Sequence, residues 1–249
     1  MHEAGYRVLG LPWRYMPFEV DETTLASAVA SMRPLKIRGF GVSMPFKESV
    51  VSLVDRVEDR ARRIGAVNTI VNDAGTLVGH NTDWVGAVRA LEEVRALRGA
   101  RALVLGAGGA ARAVAFGLVE SGASVTLCNR TLDRARALGE ALGVGHIAWE
   151  ERRDAARYDI LVNASSLGMK DVDPTSPMPR DSLGPNLVVM DIVYKPVETE
   201  LVRDARARRA GTIHGGRMLL HQAAAQFELY TGRRAPLDAL DNALRAGLA

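Results

Sequence analysis

The sequence predicts an α/β protein of two domains, with a parallel-sheet domain inserted in a second α/β domain that C-terminal helices complete. Three observations carry this expectation. Short apolar runs alternate with helical stretches through the middle third, the pattern of a parallel sheet covered by helices on both faces. A turn of small residues, Gly106-Ala107-Gly108-Gly109-Ala110-Ala111, joins one of those runs to an Ala-rich helix. The first third mixes strands with helices, and the end of the chain returns to helices alone. The expected division is 1–82 with 215–249, and 83–214.

The elements follow in order. Arg14–Val20 reads as a strand, and Asp21–Ala30 as a short helix opened by acidic and Thr residues. Ile37–Ser43 reads as a strand, and Met44-Pro45-Phe46 as the start of a helix with Pro in its first turn. Ala66–Val71 and Thr76–His80 alternate about Asn72-Asp73-Ala74-Gly75, a hairpin signal. Arg101–Leu105, Ser124–Cys128, Ile160–Asn163 and Leu187–Ile192 read as buried strands. Helices are expected from the small-residue turn to about Ser121, over Thr131–Leu142, over Gly216–Tyr230 and over Leu237–Ala246.

Composition excludes several classes. Of 249 residues, 47% are hydrophobic and 24% charged, a globular balance that can bury a core. Apolar runs such as Ala113–Val119 fall far short of the ~20 residues of a membrane span. The opening Met-His-Glu-Ala-Gly-Tyr-Arg has no apolar stretch of the secretory kind. The single cysteine, Cys128, excludes a disulfide framework and favours the cytoplasm. A net charge of +3 is too small to argue for nucleic acid. His2, His80, His146, His214 and His221 show no metal-ligand spacing, and no metal is expected. The expected partner is a small molecule, with no nucleic acid and no membrane, and the chain is expected as a monomer or homodimer. Only Lys36, Lys47, Lys170 and Lys195 are lysines among 32 basic residues, which draws attention to each as a site for chemistry that Arg cannot do.

Gly106-x-Gly108-x-x-Ala111 after a strand and before a helix has the form of a dinucleotide-binding turn of the Rossmann type. The first Gly allows the tight turn, the second lets backbone approach a pyrophosphate, and the small third residue lets helix pack on strand. Gly106, Ala107, Gly108, Gly109 and Ala110 are the candidate phosphate-binding residues, using the unpaired N–H groups of the helix start. A plain strand-to-helix turn would also need small residues. Residue 129, 23 positions past Gly106, is where an acidic residue would contact a ribose 2′-hydroxyl. The chain has Asn129-Arg130-Thr131 there, with Arg134 one turn on. Guanidinium and hydroxyl groups suit a 2′-phosphate, so the expected cofactor is NADP rather than NAD.

Three further stretches carry polar groups that a plain core does not need. Val42–Lys47 puts Lys47 in the first turn of the expected helix, where the macrodipole disfavours a cation. Ala66-Val67-Asn68-Thr69 puts Asn68 and Thr69 at the start of a strand. Asn81-Thr82-Asp83 puts a carboxylate at a strand end. These strand ends could converge on one cleft; alternatively Asp83 is only a helix cap ahead of Trp84.

The chain resembles the shikimate dehydrogenase family along nearly its whole length. The matching segments, in the family's order, are Val42–Lys47, Gly65–Thr69, Gly79–Asp83, Gly106–Ala113, Asn129–Thr131, Asn163–Met169, Asp191–Thr199 and Gly215–Gln222. The wording of Ser43–Glu48, Gly168-Met169-Lys170 and Gln226–Tyr230 is most similar to the shikimate dehydrogenase-like branch. The resemblance implies that the non-Rossmann domain binds substrate. It implies that Lys47 and Asp83 are the catalytic pair, and that Asn68 and Gln222, with Thr82 beside them, hydrogen-bond substrate hydroxyls. Tyr194 matches a tyrosine near the substrate, and Asn163, Ala164, Ser165 and Met218 match the cofactor pocket. The family normally begins with a strand and a Ser-x-Ser motif whose serines bind the substrate carboxylate. This chain begins at what resembles the following helix, with His2-Glu3, so that motif is missing and the N-terminal sheet is expected to expose an edge.

The implied activity is NADP-dependent interconversion of shikimate, or a close hydroxylated cyclohexene carboxylate, and its 3-dehydro ketone, a step of aromatic amino acid biosynthesis. Two rivals remain at this level: a dinucleotide or metabolite sensor that retains the fold, and a quinate or aminoshikimate dehydrogenase.

Overall fold

The computed structural model describes residues 1–248 and divides the chain into two compact units. Unit one comprises Met1–Asp83 and Gln222–Gly247, and unit two comprises Trp84–His221. Both boundaries fall inside or at the start of helices. The second lies within a helix, at residues 221 and 222, not ahead of it at 215 as the sequence suggested.

The chain opens with α1 (His2–Val8), α2 (Leu25–Ser31), β1 (Gly39–Gly41), β2 (Arg56–Val57), α3 (Asp59–Ile64), β3 (Thr69–Asp73) and β4 (Thr76–His80). β3 and β4 pair antiparallel from Thr69↔His80 to Asp73↔Thr76. Their turn places Ala74 at φ 49° and Gly75 at φ 97°, and two left-handed residues give the twist a tight hairpin needs. α3 is closed at both ends: the Glu58 carboxylate accepts from the N–H groups of Arg60 and Ala61, and Gly65 ends it at φ 74°. The sheet order is β1-β3-β4-β2. Val29, Met32, Val50, Ala61, Val67, Ile70 and Leu77 form the apolar core beneath it.

Arg14–Val20 is not a strand. A strand exists only within a ladder, and no backbone–backbone hydrogen bond engages these residues. They form one wall of a groove of about 900 Å³, and the edge strand β1 belongs to the other. The expected exposed sheet edge is therefore present. Met44–Phe46 does not begin a helix either. Residues 44–48 are a turn with a cis Met44–Pro45 peptide, followed by a 3₁₀ turn over Ser49–Leu53. The Lys47 carbonyl accepts from the N–H of Val67 (2.7 Å), so it serves the neighbouring strand instead of a helix. The macrodipole argument for Lys47 falls with that helix.

α4 (Asp83–Glu92) leads into β5 (Arg101–Leu105), α5 (Gly109–Glu120), β6 (Ser124–Cys128), α6 (Leu132–Leu142), β7 (Gly145–Ile147), β8 (Ile160–Asn163), β9 (Val188–Asp191), α7 (Glu200–Ala207) and β10 (Gly211–Ile213). These six strands form one wholly parallel sheet in the order β10-β9-β8-β5-β6-β7. Successive residues alternate between two cores. Ala102, Val104, Ile160, Val162 and Met190 pack with α4, α5 and Met218. Leu103, Leu105, Leu161 and Val189 pack with Leu201 and Ala205 of α7. Both faces are covered, which is why the strands read as unbroken apolar runs. α8 (Gly215–Thr231) and α9 (Leu237–Leu248) close the chain.

Candidate active site

Unit one gathers four of the residues singled out in the sequence, with Gln222. The antiparallel hairpin brings the residue before β3 level with those after β4, so Asn68 meets Thr82 and Asp83. Lys47 Nζ donates to Asp83 Oδ2 at 2.6 Å, with the two side chains 16% and 6% exposed. Asn68 Nδ2 donates to Asp83 Oδ1 at 2.8 Å, to Thr82 Oγ1 at 3.0 Å and, more weakly, to Gln222 Oε1 at 3.3 Å. Asn68 Oδ1 accepts from the Thr82 N–H at 2.7 Å.

Asp83 is not the cap of α4. Asn81 accepts from the Asp83 N–H at 3.0 Å, and its own amide is fixed by the Ala66 carbonyl. That leaves both carboxylate oxygens of Asp83 for Lys47 and Asn68. The arrangement is a buried Lys–Asp pair whose ammonium keeps two of its three donors for another group. It can hold or move a proton beside a bound hydroxyl.

Unit two places its candidates at the C-terminal ends of β5, β6 and β8. β5 lies between β6 and β8, so the chain leaves it in opposite directions, and such a switch point is where parallel sheets bind nucleotides. Gly106 sits at φ 118°, and a Cβ there would lie 2.8 Å from the Ala164 carbonyl oxygen. The turn after β5 therefore presses on the loop after β8, and only Gly fits. At Gly108, the N-cap of α5, a Cβ would meet nothing within 4 Å. Ala107, Gly109 and Ala110 complete a turn with no bulky side chain over the helix start.

Arg130, Thr131 and Arg134 are exposed beyond the end of β6, and the Arg130 charge acts on the Asp173 carboxylate. Asn129 Nδ2 donates to the Thr131 carbonyl at 2.9 Å. These groups fit an NADP: open backbone N–H groups for the pyrophosphate and two guanidiniums for a 2′-phosphate.

Two candidates have other employment. All four hydrogen-bonding positions of the Asn163 amide are taken, by Leu167, Asp191 and Ser165, so its side chain shapes its loop. Met218 is buried in the apolar core of unit two. Tyr194, in the loop after β9, is 42% exposed. No cluster of three or more His, Cys, Asp or Glu suited to a metal ion occurs among the described residues.

Comparison with known proteins decides the family. Residues 1–70 match the shikimate dehydrogenase substrate binding domain, 89–182 the shikimate/quinate 5-dehydrogenase family, and 215–245 the shikimate 5′-dehydrogenase C-terminal domain. The shikimate dehydrogenase (NADP(+)) of Haloarcula marismortui is 46% identical over 250 residues, covering 100% of this chain and 93% of that protein. The chain belongs to the shikimate dehydrogenase family. Its relative from Methanothermobacter thermautotrophicus, also a shikimate dehydrogenase (NADP(+)), is 41% identical over 98% of this chain and 90% of its own length.

Among solved structures, the Thermus thermophilus shikimate 5-dehydrogenase in complex with NADP(H) and shikimate has a TM-score of 0.92 and 37% identity, covering 99% of this chain and 93% of that one. A quinate dehydrogenase from Corynebacterium glutamicum in complex with NAD has a TM-score of 0.90 and 32% identity, over 98% and 92%. Lys47 and Asn68 fall in the first family match, Gly106 to Ser165 in the second, and Met218 and Gln222 in the third. Thr82, Asp83 and Tyr194 fall between matches.

The sequence reading noted Thr69 at a strand start without giving it a role, and it missed Gln226 as a member of the unit-one cluster. Gln226 Nε2 donates to Thr69 Oγ1 at 2.9 Å, and Thr69 Oγ1 donates to Asn68 Oδ1 at 2.8 Å, so both hold Asn68 in place. Gln226 lies four residues after Gln222 on one helix face, and that spacing was the signal.

Proposed function

We propose that this chain is an NADP-dependent oxidoreductase that interconverts shikimate, or a close hydroxylated cyclohexene carboxylate, and its 3-dehydro ketone. The observation that carries the reading is the Lys47–Asp83 pair at 2.6 Å, buried beside Asn68, Thr82 and Gln222. A bound NADP would supply the hydride acceptor for oxidation of the carbinol carbon and the hydride donor for the reverse reaction.

The chain's own residues handle the proton and the hydroxyls. In reduction, the Lys47 ammonium donates a proton to the ketone oxygen and stabilises the negative charge that develops there. In oxidation, the proton of the reacting hydroxyl passes to the Lys47–Asp83 dyad, which acts as one coupled unit. Asn68, Thr82 and Gln222 orient the ring through its other hydroxyls. The two long contacts to Gln222, 3.3 and 3.5 Å, are the ones a substrate hydroxyl takes over most cheaply. Tyr194 acts near the substrate.

Gly106 to Ala110, with Ala164 and Ser165, cradle the dinucleotide, and Arg130, Thr131 and Arg134 hold the 2′-phosphate. The single, buried cysteine supports a reducing compartment, and we place the chain in the cytoplasm as a monomer or homodimer. No helix among the described residues is long and apolar enough to cross a membrane.

The test is NADPH formation from NADP⁺ and saturating shikimate, with NAD⁺ and quinate run in parallel. Turnover greatest with shikimate and NADP⁺ is the expected result. Turnover greatest with quinate and NAD⁺, or NADP⁺ binding with no turnover on any pair, would overturn it.

A further inference from the structure

We propose that Asp191 is a positioning residue for the cofactor half of the site: its carboxylate ties the loop after β8 to the loop after β9 and so sets how Ser165 and Tyr194 are presented. The proposal rests on the reading that unit two binds NADP.

Asp191 is the last residue of β9 and is fully buried. Its Oδ1 accepts from Asn163 Nδ2 at 2.9 Å and from the Val193 N–H at 3.1 Å, and its Oδ2 accepts from Thr199 Oγ1 at 2.6 Å. These donors come from three places. Asn163 ends β8, Val193 opens the loop after β9, and Thr199 closes that loop and caps α7 through the Val202 N–H. Asn163 passes the constraint onward. Its amide also donates to the Leu167 carbonyl at 2.8 Å, and its Oδ1 accepts from both the N–H and the hydroxyl of Ser165. Gly168, at φ 95°, completes the wrap, since a Cβ there would lie 3.5 Å from Asp191 Oδ2. Both loops therefore take their shape from one side chain.

An ionised carboxylate satisfies all three donors of this cage as they stand. It accepts and donates nothing, and each of the three partners offers a hydrogen. The groups that face it are Asn163 from β8, Val193 and Thr199 from the following loop, and Gly168 from the loop after β8. All are uncharged. Burial therefore outweighs the three hydrogen bonds that favour the charged form and pushes the carboxyl up to about 6. Below that pH the carboxyl gains a proton whose one acceptor in the cage is Thr199 Oγ1, so the Thr199 hydroxyl must turn and reverse its hydrogen bond.

The test compares NADP⁺ dissociation constants of the parent chain and Asp191→Asn, by calorimetric titration from pH 5 to 8, with KM and kcat measured beside them. The amide must present its hydrogens toward Thr199 at every pH, which turns that hydroxyl away from the bond it makes to the carboxylate. At pH 8 the variant is expected to bind NADP⁺ about tenfold more weakly, the loss of roughly one charge-assisted hydrogen bond. Its KM for NADP⁺ should rise in step, by more than any change in the KM for shikimate. As pH falls through about 6, the parent should lose affinity relative to the variant, closing the gap. The 2′-phosphate titrates in the same range but does so with both proteins, so the difference between them isolates Asp191.

A folded variant with parental affinity, or with a parallel pH profile, would overturn the inference; a purely structural role gives the second result. Should Asp191→Asn not fold, Thr199→Val is expected to weaken NADP⁺ binding and Thr199→Ser to restore it, and equal affinity in both would overturn the inference. Absence of NADP⁺ binding by the parent chain would overturn the cofactor reading and this inference with it.

Discussion

The two units carry their candidate sites in different chemical currencies. In unit one the site is made of side chains: Lys47, Asp83, Asn68, Thr82 and Gln222 bond to one another over 2.6–3.5 Å. In unit two it is made largely of backbone and of space. Gly106 is required by its φ of 118° and by the nearness of Ala164, whereas at Gly108 a Cβ would meet nothing within 4 Å and the helix start lies open. Removing atoms should therefore damage unit one most, whereas adding them should damage unit two. A site built from functional groups is specific to its chemistry, and a site built from small residues is specific to a shape.

The comparison can be broken in several places. Short of changing Lys47 itself, the largest effect is expected for Asp83→Asn, which keeps the volume but removes the charge that holds Lys47. Its kcat for shikimate oxidation should fall by about 10²–10³-fold, with NADP⁺ affinity unchanged by titration. An equal loss of NADP⁺ affinity would erase the distinction between the units.

Gly106→Ala should do the reverse. The added Cβ meets the Ala164 carbonyl at 2.8 Å in a strained backbone region, costing about 1–3 kcal/mol in a denaturant melt. The KM for NADP⁺ should rise while that for shikimate holds. Arg130→Ala should sharpen the cofactor assignment, weakening NADP⁺ by about tenfold or more and leaving NAD⁺ almost untouched. Equal losses for both would place the 2′-phosphate elsewhere.

The smallest effect concerns acid stability. Asp191 has a folded carboxyl pushed up to about 6 from 3.8, so between those values the folded chain binds more protons than the unfolded one. Its contribution to stability therefore rises as pH falls through that window and is lost as pH rises. The parent should gain about 1 kcal/mol relative to Asp191→Asn between pH 6 and pH 5.

Legibility in the sequence followed the same division. β5, β6, β8 and β9 were readable because both sheet faces are covered, leaving unbroken apolar runs. The three-residue strands β7 and β10 were not, because so short an edge strand is defined by its neighbour and not by its own pattern. Arg14–Val20 has strand composition without a partner, and composition cannot supply one. Residues 44–46 looked like a helix start because Pro suits that position, but the Lys47 carbonyl is claimed by Val67, which is distant in sequence.

Lys47, Asn68 and Asp83 stood out as polar groups at strand ends. Thr69 and Asp191 also lie at strand ends, and Gln226 one turn past Gln222, but the sequence pattern does not say that they hold other residues in place. Their roles exist only through hydrogen bonds that the fold creates.

The most direct test of the account is the steady-state rate of Lys47→Ala in shikimate oxidation by NADP⁺, measured with the parent at saturating concentrations of both. Truncation removes the group assigned to the proton while leaving unit two intact. The account predicts a fall in kcat of about 10²–10⁴-fold with the KM for NADP⁺ unchanged. A variant that keeps the parental kcat would show that the proton is handled elsewhere, and the assignment of the Lys47–Asp83 pair would be wrong.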